Sequence, residues 1–216
     1  MSSKPSCEQP AAASCTETAS ATTPSAGEAA RTIALQMLEE RGRGAVLVGV
    51  ARVDVALERL LQSVLLPVPG PTDSFFQPDR PLGSFGARIT LAARLGLIDP
   101  PVEQALQTLR RVRNGFAHST TTATLTDPGH ADRLFQAYAA ARVNSLWLPL
   151  ERILQQQVGG PYEPPVDAAL LDYILLITIL VAFLEAAAQQ LAPQPPAVVM
   201  GFAGIRQPHQ DCQEPT

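Results

Sequence analysis

Apolar residues recur at intervals of three and four over about residues 44–66, which is the spacing of a helix with one buried face. The residues of this stripe are Val46, Val50, Val53, Leu57, Leu60 and Val64. A shorter helix is expected just before it, over about residues 32–41. Residues 67–83 contain five prolines and two glycines and therefore predict a loop, which Phe75 and Phe76 should pin to the body.

Residues with strong capping preferences delimit the next two helices. Ser84 is a favourable N-cap for a helix over residues 84–95, and Gly96 suits the position just after its end. Asp99 followed by Pro100 is typical of a helix start, and the apolar spacing carries this helix to about His118.

The C-terminal half of the body predicts two further helical regions. Asp127 followed by Pro128 repeats the helix-start pattern, and Pro149 should kink or break the helix that begins there. The glycines and proline at 159–161 end that region. A last helix is expected over about residues 166–191.

Composition along the chain divides it into one folded domain and two tails. Residues 1–29 are rich in Ser, Thr, Ala and Pro and lack large apolar side chains, so we expect them to be disordered. Residues 192–216 are rich in proline and are also expected to be disordered. The body, residues 30–191, has no internal repeat and no strand alternation, which predicts an all-α domain.

The run from Tyr173 to Leu184 is apolar almost throughout and lies between Asp172 and Glu185. A membrane-spanning helix needs about 20 such residues, and this run has 12. The length favours a core or dimer-interface helix over a membrane span, which stays open as an alternative.

Charge and cysteine content narrow the functional classes. The formal net charge is −4, which argues against broad nonspecific binding of nucleic acid. Cys7, Cys15 and Cys212 all lie in the tails without zinc-ligand spacing, so neither a metal site nor a disulfide framework is expected. With no apolar leader at the start, we expect a cytoplasmic protein, and no cofactor-binding motif is visible.

The most informative stretch is Arg113-Asn114-Gly115-Phe116-Ala117-His118. On a helix, Asn114 and His118 share a face with Arg111, while Arg113 lies about 100° round from Asn114. Gly115 costs about 1 kcal/mol relative to alanine and suggests that another backbone approaches there. Arg and His in a last turn also complement the helix dipole, so the pattern alone leaves a purely structural role open.

Arg113, the asparagine after it and His118 resemble the R-x4-6-H signature of HEPN domains. Together with the segments 81–89 and 95–98, they resemble the mannitol operon repressor (MltR-like) family over about residues 40–157. The resemblance implies a HEPN-like helical bundle that forms a homodimer.

The resemblance leaves two functions open. The first is a regulatory or interaction protein, a transcriptional regulator that works through a protein partner, since no helix-turn-helix with a basic recognition helix is present. The second is a toxin-like, metal-independent endoribonuclease with an antitoxin as partner and RNA as substrate. There, two copies of His118 across a dimer groove would serve as acid and base, Arg113 would stabilise phosphate charge, and Asn114 would fix the histidine tautomer.

Asp54 is a further candidate, because it lies one position off the apolar stripe with Glu58 four residues later. The resemblance to HEPN domains implies that a polar residue of this helix approaches the Arg–His pair. A salt bridge from Asp54 to Arg113 or Arg88 would then support the site, although an exposed carboxylate is the default expectation. Trp147, the sole tryptophan, is expected to be a core or interface anchor.

Overall fold

The computed structural model describes residues 26–40, 42–68, 74–119, 123–158, 167–193, 196, 198–202 and 204–206, and their fold is all-α. The described elements are α1 (Ala26–Glu39), α2 (Arg43–Val64), a short 3-10 turn (Ser74–Phe76), α3 (Phe85–Arg94), α4 (Pro100–His118), α5 (Pro128–Arg142), α6 (Trp147–Val158), α7 (Ala168–Gln190), β1 (Val199–Gly201) and β2 (Gly204–Arg206). The two strands form an antiparallel hairpin in which Met200 lies opposite Ile205.

Helix α7 is the centre of the bundle. It packs against α1, α2, α5 and α6, and the whole apolar run from Tyr173 to Leu184 is buried except for Phe183. A helix surrounded by other helices has no polar face, which explains why this run is apolar all round. By length and composition alone α7 could also cross a membrane, a test that the buried core helix of a soluble protein passes equally well.

The capping residues around α3 and α4 act as their sequence predicts. The Ser84 hydroxyl accepts a hydrogen bond from the Ala87 N–H at 3.2 Å, and the Asp99 carboxylate accepts one from the Val102 N–H at 3.0 Å. Gly96 has φ +69°, the left-handed conformation that terminates many helices and that glycine adopts without strain.

The predicted break at Pro149 is wrong in its position. Helix α5 ends at Arg142, and Pro149 lies in the first turn of α6. A proline is tolerated there, because the first amides of a helix have no acceptor within it. The amide oxygen of Asn144 accepts a hydrogen bond from the Leu146 N–H at 2.9 Å and organises the turn between the helices.

Both predicted tails contain regular structure. Helix α1 begins at Ala26, inside the segment 1–29, because its alanines extend the helix whose Ala30 and Ala34 are buried in the core. The hairpin β1–β2 lies inside the segment 192–216. Residues 1–25 and 207–216, including the three cysteines, and the predicted helix end at 159–161 lie outside the described residues.

Aromatic residues hold the connecting segments in place. Phe76 is buried as predicted, whereas Phe75 is exposed and contacts the Phe76 ring edge-on at a centroid distance of 6.0 Å. Trp147 is a buried core residue, with the Arg142 guanidinium carbon 5.5 Å from its ring centroid.

Candidate functional site

The C-terminal half of α4 presents a set of polar side chains to solvent. Arg111, Arg113, Asn114 and His118 are all exposed, and none has a side-chain hydrogen bond or ion pair with another described residue. Because α4 is helical through His118, this residue, Asn114 and Arg111 share one face of the helix. None of these side chains is used to hold the described part of the fold together.

Arg113 lies on a different flank of α4 from His118. Five residues of a continuous helix rotate by about 500°, which leaves the two side chains about 140° apart. Within one chain, the exposed face therefore combines His118 with Asn114 and Arg111, while Arg113 leaves the helix on the side of Ala117.

Arg43, which the sequence did not single out, holds the end of α4. This first residue of α2 donates from its guanidinium to the Ala117 carbonyl at 3.0 Å and to the Ser119 carbonyl at 3.4 Å. These carbonyls belong to the group that a helix leaves without an internal partner. A cation from another helix thus complements the C-terminus of α4, and no local sequence signal marks a contact that spans more than 70 residues.

Arg88 forms a second, separate cluster with the carboxylates of α2. Its side chain is 9% exposed and lies 2.6 Å from Asp54 Oδ1 and 2.8 Å from Glu58 Oε2. The same guanidinium donates to the Leu82 carbonyl at 2.9 Å and to the Phe76 carbonyl at 3.1 Å. Arg88 therefore ties the loop before α3 to α2.

The structure selects one of the two pairings expected for Asp54. Its carboxylate pairs with Arg88, and no hydrogen bond or ion pair to Arg113 occurs among the described residues. The predicted site residues thus fall into two groups with different surroundings: Arg111, Arg113, Asn114 and His118 are exposed on α4, whereas Asp54 and Arg88 form a largely buried structural cluster.

A second imidazole lies beside the α4 motif, and the sequence did not predict it. A Cβ built on Gly115 would lie 2.8 Å from His130 Cε1, and the His130 ring contacts the Phe116 ring at a centroid distance of 4.9 Å. His130 Nδ1 is buried and has no hydrogen-bond partner in the described part of the chain. The group that approaches Gly115 is therefore a side chain, whereas the sequence suggested a backbone.

Asp127 positions His130 through its main chain. Its carbonyl accepts a hydrogen bond from the His130 N–H at 2.8 Å. Its carboxylate does not cap α5 as predicted but accepts from the Thr124 N–H at 2.9 Å and from the Thr124 hydroxyl at 2.8 Å. These hydrogen bonds from Thr124 lower the pKa of Asp127 below its usual range, and the nearby His130 lowers it further.

An apolar groove of about 380 Å³ opens between the start of α4, the end of α5 and α7. Two apolar side chains on its rim face solvent: Val143 is 88% exposed and Phe183 is 49% exposed. Its walls are almost entirely aliphatic, and they include Leu97, Ile98, Pro101, Val102, Ala137, Ala141, Ile179, Leu180 and Ala187.

The two surfaces have different chemical capacities. The end of α4 offers cations and one imidazole to an anionic group, and the groove offers an aliphatic lining to apolar side chains. Among the described residues, no group of three or more His, Cys, Asp or Glu is placed to hold a metal ion. Comparisons of this chain with protein-family models, with curated proteins and with solved structures found no match.

Proposed function

We propose that this protein is a regulatory or interaction protein of the MltR-like type, which forms a homodimer and acts through a protein partner rather than by catalysis. The observation that carries the proposal is the apolar groove with the exposed Phe183 and Val143 on its rim. Contiguous apolar surface on a folded domain is characteristic of sites that bind another protein.

The polar face of α4 supports a role in recognition. Arg111 and Arg113 are cations without an acidic partner among the described residues, in a chain whose formal net charge is −4. Unpaired surface charges add orientation and association rate to an interface whose affinity comes from apolar contacts. An acidic patch on a protein partner would complement this face.

The geometry of one protomer speaks against RNA cleavage. Cleavage through the 2′-hydroxyl needs a base, an acid and stabilisation of phosphate charge. In the described part of the chain, His118 is the one exposed imidazole, and Arg113 lies about 140° round the helix from it. His130 is partly buried against Phe116, so the described part of one chain offers a single exposed imidazole for this chemistry.

A dimeric, metal-independent endoribonuclease is the alternative, and one observation favours it. The side chains of Arg113, Asn114 and His118 form no hydrogen bond or ion pair with another described residue, which leaves them available to a substrate. A two-fold axis beside α4 would bring two copies of His118 to one groove, where one could act as base and the other as acid.

One assay separates the two functions. The purified protein is incubated with single-stranded RNA in EDTA, in parallel with His118→Ala and Arg113→Ala. Arg94→Ala serves as the matched control, since Arg94 is also an exposed arginine without an ion pair to a described residue. We expect intact RNA throughout. Cleavage that persists in the Arg94 variant and is lost in the other two would overturn the proposal in favour of the ribonuclease.

A further inference from the structure

The hairpin β1–β2 presents apolar side chains that are exposed in the described part of the chain. Met200 is 86% exposed, and Phe202 and Ile205 are exposed to a similar or greater extent. A two-stranded hairpin is marginally stable by itself in water, because it has no further strand or helix against which to bury its apolar side chains. These side chains would be buried only against a surface that the described residues of their own chain do not provide.

The sequence of the connection between α7 and the hairpin sets how far the hairpin can reach. Eight residues, 191–198, separate the end of α7 from β1, and three of them are prolines. Proline-rich segments are semi-rigid and extend by about 3.1 Å per residue, so this connection spans up to about 25 Å. A spacer of this length allows the hairpin to reach a neighbouring molecule.

The apolar groove provides the kind of surface against which the apolar side chains of the hairpin could be buried. Part of its aliphatic wall comes from α7, the helix from which the hairpin's connection departs, and Ala187 lines the groove one turn before the end of that helix. The exposed rim residues Phe183 and Val143 are uncovered apolar surface in the same way as Met200 and Phe202. Docking of the hairpin would cover both sets together.

We infer that the hairpin 199–206 of one copy docks in the apolar groove of a second copy, and that the exchange is reciprocal about a two-fold axis. Such an interface is closed, because each copy offers one hairpin and one groove. The inference rests on the proposed function and deepens it, since it names the surface and the segment through which the dimer forms.

Disulfide trapping between two different variants tests this directly. In a background with Cys7, Cys15 and Cys212 changed to Ser, one protein carries Val143→Cys on the groove rim and a second carries Met200→Cys on β1. After equimolar mixing and mild oxidation, we expect a disulfide-linked heterodimer on a non-reducing gel. Phe135→Cys is the matched control, because Phe135 is exposed on α5 but does not line the groove.

Two outcomes of the trapping experiment would overturn the inference. One is a heterodimer yield no greater than that obtained with Phe135→Cys. The other is a double variant, Val143→Cys with Met200→Cys, that closes an intramolecular disulfide in a monomer while the mixed single variants do not react, since the groove would then be filled by its own chain.

Three matched phenylalanine substitutions supply an independent measurement by sedimentation. Phe202→Asp in the hairpin and Phe183→Asp on the rim are each expected to raise the dimer dissociation constant at least tenfold, whereas Phe135→Asp leaves it unchanged. A wild-type dissociation constant in Phe202→Asp and Phe183→Asp would overturn the docking of the hairpin but would not contradict the proposed function. RNA cleavage in EDTA that is lost in His118→Ala and Arg113→Ala but kept in Arg94→Ala would overturn the proposed function, whatever the trapping result.

Discussion

The imidazole of His130 occupies the space that a side chain at Gly115 would need. The Cβ position of Gly115 is 2.8 Å from His130 Cε1. The His130 ring also packs against the Phe116 ring, with the two centroids 4.9 Å apart. This contact joins α4 to α5 at the level of the polar motif. It explains why a glycine stands within a helix at this position, where it costs about 1 kcal/mol relative to alanine.

Gly115→Ala is therefore expected to destabilise the protein. The new methyl group would overlap the His130 ring, and overpacking of this kind costs about 1–3 kcal/mol. The gain in helix propensity offsets about 1 kcal/mol of that cost. We expect a net loss of about 1 kcal/mol in the free energy of unfolding, measured by urea denaturation.

Gly129→Ala is the matched control on α5, because nothing lies within 4 Å of its Cβ position. Its stability should equal or exceed that of the wild type. The double variant Gly115→Ala with His130→Ala should recover the loss caused by overlap. Equal urea midpoints for Gly115→Ala and Gly129→Ala would show that His130 moves aside freely.

Arg88→Met should be among the most destabilising single substitutions. It leaves the Leu82 and Phe76 carbonyls without their donor and leaves Asp54 and Glu58 side by side. Loss of one member of a buried charge cluster costs about 3 kcal/mol. The control, Arg59→Met, removes an exposed ion pair to Glu185 and should cost under about 1 kcal/mol. Similar losses in the two variants would refute a structural role for the Arg88 cluster.

Two tyrosines with buried hydroxyl groups should respond differently when the hydroxyl is removed. Tyr173 donates to the Val46 carbonyl at 2.9 Å, so Tyr173→Phe should lose about 1 kcal/mol of unfolding free energy. The Tyr138 hydroxyl is buried without a partner in the described residues, so Tyr138→Phe should be neutral or stabilising. Thermal unfolding of both variants checks the sign, and a stabilised Tyr173→Phe would contradict the assignment.

The same tyrosines predict a loss of stability in alkali. Burial raises the pKa of Tyr173 well above its usual value and raises that of Tyr138 as well. The folded state then holds protons that the unfolded chain releases near pH 10, so stability is full below that pH and falls as the pH rises above it. In the double variant Tyr138→Phe with Tyr173→Phe, the urea midpoint should decline less than in the wild type above about pH 10. If the double variant loses stability in alkali as steeply as the wild type, the loss arises from titratable groups other than these tyrosines.

The exposed side chains of α4 should contribute little to the stability of the fold. His118→Ala and Asn114→Ala remove side chains without described partners, and the free energy of unfolding should change by less than about 0.5 kcal/mol. Arg43→Ala should cost more, because it removes the guanidinium that donates to the Ala117 and Ser119 carbonyls, and amide exchange at the end of α4 should quicken. A large loss of stability in His118→Ala would mean that the imidazole serves the fold.

Local signals predicted the helix ends well and the breaks between helices less well. Ser84, Gly96 and Asp99 act within their own turns, so their residue types suffice to place the ends of α3 and α4. Pro149 was misplaced because a proline is compatible with a first turn, and the end of α5 at Arg142 carries no glycine or proline.

By itself the sequence determined the all-α class, the extents of α2, α4 and α7, and the shared face of Asn114 and His118, because periodicity and capping are properties of neighbouring residues. Only the tertiary structure decided that Asp54 pairs with Arg88, that Arg43 closes the end of α4, and that His130 lies against Gly115. Each of these contacts joins residues on different elements. Their partners are chosen by how the helices pack, which depends on the whole core and not on any local pattern.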